Sequence, residues 1–86
     1  MESVKEISLK TLNAVKQFCF IAEKYDFEIY LSVRKFCVDG TSLLGVLSLP
    51  LTEMLRCTVI YKEEQKSLVL DFWNKISEYI EKNDEE

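Results

Sequence analysis

Between Val38 and Leu49 the chain runs V-D-G-T-S-L-L-G-V-L-S-L and then meets its only proline, Pro50. An apolar strand end gives way to Asp39-Gly40, a strong turn signal. Thr41 or Ser42 then offers a hydroxyl that can cap a helix by accepting a backbone N–H of its first turn. That helix reaches about Ser48, because Pro50 cannot continue it and biases Leu49 away from helical geometry. A strand, a turn and a very short helix in immediate succession demand a fold that interleaves short elements. Leu43, Leu44 and Leu47 cannot all point inward unless this helix lies flat on a sheet. Part of that apolar group is therefore expected at the surface, where it would mark a partner surface or a dimer contact.

The rest of the chain alternates between two periodicities. Val4 to Leu9 alternates apolar and polar residues loosely and reads as a half-exposed strand. Thr11 to Tyr25 changes to helical spacing, with Leu12, Val15, Cys19 and Ala22 beside Ala14, Phe18, Ile21 and Tyr25 forming a broad apolar face. Thr11 is the natural N-cap. Phe27, Ile29, Leu31 and Val33 alternate with Glu28, Tyr30 and Ser32, a clean strand pattern. Arg34-Lys35 is a polar turn, and Phe36-Cys37-Val38 a short returning strand. Cys57 to Lys62 reads as the last strand. From Glu63 onward the spacing is helical again, with Leu68, Val69, Phe72, Trp73, Ile76, Tyr79 and Ile80 in one stripe. Glu63 and Glu64 at its start suit the helix dipole. The order β-α-β-β-α-β-α predicts one α+β domain over 1–86. Its economical arrangement is an open-faced sandwich, a four-stranded antiparallel sheet covered on one face by three helices.

Eighty-six residues, nearly half of them apolar, suffice for a single core that buries roughly two-thirds of the unfolded surface. The net charge of −4 argues against direct nucleic-acid binding, which Lys and Arg drive by neutralising phosphates. The acidic ending E-K-N-D-E-E reads as a frayed, solvated helix end. The first residues lack the pattern of a signal peptide, and no apolar run approaches the ~20 residues of a membrane span. A cytoplasmic protein is expected. Cys19, Cys37 and Cys57 lie far apart among apolar neighbours and read as reduced core thiols. No metal site and no cofactor are expected. The chain contains no histidine, so neither a Ser-His-Asp nor a Cys-His pair is available. No G-x-x-x-x-G-K-[ST] loop is present, and independent catalysis is not expected.

The D-G-T-S-L-L-G-V-L-S-L run resembles the regulatory-serine segment of HPr, the phosphocarrier family of the bacterial sugar phosphotransferase system. Gln17, Phe18, Ala22 and Tyr25 look like its first helix, Glu28-Ile29 falls at the distance of its second strand, and Glu64-Gln65-Lys66 resembles the opening of its last helix. The resemblance spans roughly Leu9 to Tyr79 and implies the same open-faced fold. The family's phosphocarrier motif is G-L-H-x-R-P, where the His accepts and releases the phosphoryl group and the Arg and helix N-terminus hold it. Here the region is L-K-T-L-N-A-V-K. An ungapped pairing puts Thr11 at the position of the missing acceptor His, Asn13 at the Arg and Ala14 at the Pro. A Thr phosphate ester is too stable for a relay, and Lys10 and Lys16 are protonated unless buried.

Ser42, in contrast, matches the serine that a dedicated ATP-dependent kinase phosphorylates in many Gram-positive HPr proteins. The resemblance implies a regulatory phosphorylation site at Ser42, with a capping role alone as the alternative. Leu43, Leu44 and Leu47 resemble the apolar patch by which HPr docks its partners. The catabolite-repression form of HPr also lacks the active His and keeps the serine. The expected function is thus regulation through protein binding, without phosphoryl transfer to sugar. Expected partners are proteins: an HPr kinase, a transcriptional regulator or a phosphotransferase component. The alternative is a phosphate-independent interaction domain on the same fold. A monomer or weak dimer is expected.

Overall fold

The computed structural model describes residues 1–81. Strand β1 (Glu2–Ile7) is followed by helix α1 (Leu12–Ala22), strands β2 (Glu28–Val33) and β3 (Phe36–Asp39), helix α2 (Leu43–Leu47), strand β4 (Leu55–Ile60) and helix α3 (Lys66–Lys75), which short 3-10 turns precede at Glu63–Gln65 and follow at Ser77–Tyr79. The strands form one antiparallel sheet in the order β1-β4-β2-β3. The order and the open-faced α+β arrangement are those expected from the sequence.

Strand β2 carries the clearest logic. Its period-two pattern sends Ile29, Leu31 and Val33 inward, with Phe27 just before it, and leaves Glu28, Tyr30 and Ser32 on the bare face. The Arg34-Lys35 turn then bends the chain, with Arg34 at a φ of 57°. Arg34 is tied by an ion pair to Glu53 across the sheet end. The helices bring Val15, Phe18 and Ala22 of α1, Val46 of α2, and Val69, Phe72 and Trp73 of α3 down onto the sheet. Phe72 is the hub: Phe18, Tyr25 and Phe27 each meet its ring edge-to-face at centroid distances of 6.0, 5.5 and 6.0 Å. Such pairs add about 0.5–1.5 kcal/mol beyond area burial.

Four expectations change. The first strand runs Glu2–Ile7 instead of Val4 to Leu9, and within it Val4 lies on the bare face, because Ile7 is inward and residues an odd number apart point to opposite faces. Ser3 and Lys5 face inward instead: Trp73 Nε1 donates to Ser3 Oγ at 3.0 Å, and Lys5 Nζ sits 5.7 Å from the Trp73 ring centroid. Cys37 is exposed, not a core thiol, since its partner across the ladder is the outward-facing Ser32. The last strand starts two residues early, at Leu55, which is fully buried. Finally, the C-terminal stripe is not one helix. Helix α3 ends at Lys75, Leu68 is exposed at the margin of its buried arc, and Ile80 bridges Ile7.

That bridge closes the β1 edge. Ser8 N–H donates to the Tyr79 carbonyl and Glu81 N–H to the Glu6 carbonyl, both at 2.8 Å. Ile80 is thus extended and Glu81 is bonded to β1, not helical; the remainder of the acidic ending, 82–86, lies outside the described residues. Among the described residues no helix is long and apolar enough to cross a membrane.

Candidate functional site

The two helix starts hold the residues that the sequence singles out. Thr11 is extended (φ −125°, ψ 158°) and its Oγ1 accepts the Ala14 N–H at 3.0 Å, while its carbonyl accepts Val15 N–H at 3.1 Å. At the second start the choice between Thr41 and Ser42 is resolved. Ser42 is the cap: its Oγ accepts Gly45 N–H at 3.1 Å and its carbonyl accepts Val46 N–H at 2.9 Å. Thr41 serves the turn, donating its N–H and its hydroxyl to Asp39 Oδ1, each at 2.8 Å. Gly45 makes this close approach feasible, since a Cβ there would lie 3.1 Å from Ser42 Oγ and 3.4 Å from the Val38 Cβ.

Beyond Ser42 the short helix splits its apolar residues. Val46 is fully buried, whereas Leu44 is 80% exposed and Leu43 and Leu47 are each more than a third exposed. The three leucines therefore form a surface group next to the cap. Helix α2 packs against α1, which itself leaves Leu12 and Phe20 more than half exposed. Leu12 was expected on the buried face; it lies in the first turn, outside the cluster built by Val15, Phe18 and Cys19. Phe20 escaped sequence reasoning. Its signal was its position, off the three-and-four spacing of Val15, Phe18, Cys19 and Ala22. Lys24 Nζ rests 4.2 Å from the Phe20 ring centroid, a cation–π contact that keeps the ring at the surface.

The chemistry open to this region is limited. Both hydroxyls, Thr11 Oγ1 and Ser42 Oγ, are cap acceptors. Burial pushes the Cys57 thiol up to about 12, and burial with the nearby Glu23 and Asp39 charges raises Cys19, so neither is a ready thiolate. Burial, a hydrogen bond to Asp71 at 2.7 Å and that carboxylate's charge push Tyr25 up to about 12. Among the described residues no three His, Cys, Asp or Glu side chains group as metal ligands.

No protein-family model matches the sequence, and no curated protein matches it. Solved structures do. HPr-C-His from Thermoanaerobacter tengcongensis superposes with a TM-score of 0.61 at 24% identity, over 90% of this chain and 96% of that one. The phosphocarrier protein HPr from Bacillus anthracis superposes with a TM-score of 0.59 at 18% identity, over 94% and 96%. At these identities the likeness establishes architecture: the chain has the fold of the HPr phosphocarrier proteins.

Proposed function

We propose that this chain is a non-enzymatic, cytoplasmic protein of the HPr kind that regulates by binding other proteins and does not carry phosphate toward sugar. The observation that carries the reading is the exposure of Leu43, Leu44 and Leu47 immediately after the Ser42 cap. An apolar group at the first turn of a helix is a docking surface that one modification can switch. A phosphate on Ser42 would bring about −1.5 to −2 charges to the edge of that surface. The absence of histidine from the whole sequence supports the other half of the reading, because Thr11 forms no labile phosphoramidate. Fitting partners are an HPr kinase and a transcriptional regulator or phosphotransferase component.

Intact mass after incubation with a Gram-positive HPr kinase and ATP tests the regulatory site. A single phosphate mapped to Ser42, absent in Ser42→Ala, is the expected result. Incubation with enzyme I and phosphoenolpyruvate should leave the mass unchanged, and phosphate on any residue there would overturn the non-carrier reading. A second reading, a phosphate-independent interaction domain, is favoured by the cap bond itself, which gives Ser42 a sufficient structural task. It predicts no kinase product and partner capture that survives Ser42→Ala but is lost in Leu44→Asp.

A further inference from the structure

The two edges of the sheet are treated differently. The β1 edge is covered by the Tyr79–Glu81 segment, whereas β3 ends the sheet on the other side, with no further strand beside it among the described residues. Along β3 the backbone groups alternate sides. Gly40 N–H points back to the Ile29 carbonyl at 2.7 Å, so the N–H and C=O groups of Cys37 and Asp39 point away from β2. An uncovered edge of this kind is a template for another strand.

The sequence at that edge is complementary to itself. In F-C-V-D with Lys35 of the turn just before it, read antiparallel against a second copy and centred on Cys37, Phe36 falls opposite Val38, Cys37 opposite Cys37, and Lys35 at the strand's start beside Asp39. Each non-central pairing occurs twice under two-fold symmetry. Cys37 is an allowed centre, because a residue whose backbone groups both point outward can exchange two hydrogen bonds with its own copy, and the charge pairing selects it over Asp39. Lys35 and Asp39 are exposed, and neither takes part in an ion pair among the described residues. Phe36 is more than half exposed. A shift by one residue in either strand would break the charge match, so the register is specified.

We propose that the β3 edge is a self-association site, at which two copies pair antiparallel about Cys37 and join two four-stranded sheets into one of eight strands. The argument is independent of the Ser42 surface. With so short a strand the dimer is weak and reversible, and it is strongest at low salt.

Sedimentation at high protein concentration and low salt, with a short bis-maleimide as thiol cross-linker, tests this. The wild type should self-associate and cross-link through Cys37 of both copies, the other two thiols being buried. Lys35→Glu sets Glu against Asp39 and should weaken association about tenfold. Asp39→Lys sets Lys against Lys35 and should do the same. An equimolar mixture restores both opposite-charge pairs and should return association toward wild type. A wild type that stays monomeric, or a mixture no better than either variant alone, overturns the proposal. Asp39→Lys also removes the bonds to Thr41; if circular dichroism finds it unfolded, Lys35→Glu decides alone, and unchanged association in that variant overturns the proposal.

Discussion

Helices α1 and α2 begin in the same way and become different objects. Each opens on an extended hydroxyl residue whose oxygen accepts the N–H three residues on. Helix α1 continues for 11 residues and buries four of them; α2 stops after 5 and buries one. The apolar content of α2 is the higher, yet most of it remains at the surface. A cap therefore reports where a helix starts, while its length decides how many side chains can reach the core. The same local chemistry supplies stability in one case and a surface in the other.

The sharpest way to break this contrast is to truncate one aromatic of α1 and one leucine of α2. Phe18 is fully buried against Phe72, and Phe18→Ala should cost about 3–5 kcal/mol in urea unfolding. Leu44→Ala should change stability by less than about 0.5 kcal/mol. Similar losses in the two would mean that α2 is as integral as α1. The caps come next. Thr11→Ala should lower global stability by about 1 kcal/mol. Ser42→Ala should cost less, because α2 can fray alone, and should appear mainly as faster hydrogen exchange at the Gly45 amide. A smaller effect should follow α1 at Tyr25. Its hydroxyl holds its proton more tightly in the folded chain, so the associated stability is whole below the unfolded value near ~10. It fades as pH rises toward the folded value of about 12. Denaturation at pH 9 and 11 should show a smaller alkaline loss in Tyr25→Phe than in the wild type.

Much of the fold was legible because the strongest local signals agreed with tertiary need. Phe27 to Val33 alternates without a break and lies in the middle of the sheet, where both periodicity and burial act on it. The Asp39-to-Pro50 run announced its turn, cap and stop, and the exposure of Leu44 followed from too few helical positions. What was missed depends on distant pairing. Val4 and Ile7 are both apolar, and the packing of Trp73 over Ser3 and Lys5 goes with the face that puts Ile7 inward. Cys37 looks like a core residue among Phe36 and Val38, and its place opposite Ser32 in the ladder turns it to the bare face. Nothing between Ile76 and Ile80 breaks a helix, so the change to a strand-like clasp is dictated by the open edge of β1. The candidate surface was half visible, since α2 declared itself whereas Phe20 is defined by the helical face that others occupy.

The clasp at Tyr79–Glu81 has a bearing on how the protein is made. Strand β1 is made well before its neighbours, which are β4 on one side and the clasp segment on the other. At about 5–20 residues per second, the first strand waits several seconds for the partners that complete it. Until then its apolar side chains and both rows of backbone groups are available to any passing chain. The sheet can close only once the clasp segment has been made, so the chain caught between those two moments, and not the finished domain, is the form most in need of a chaperone.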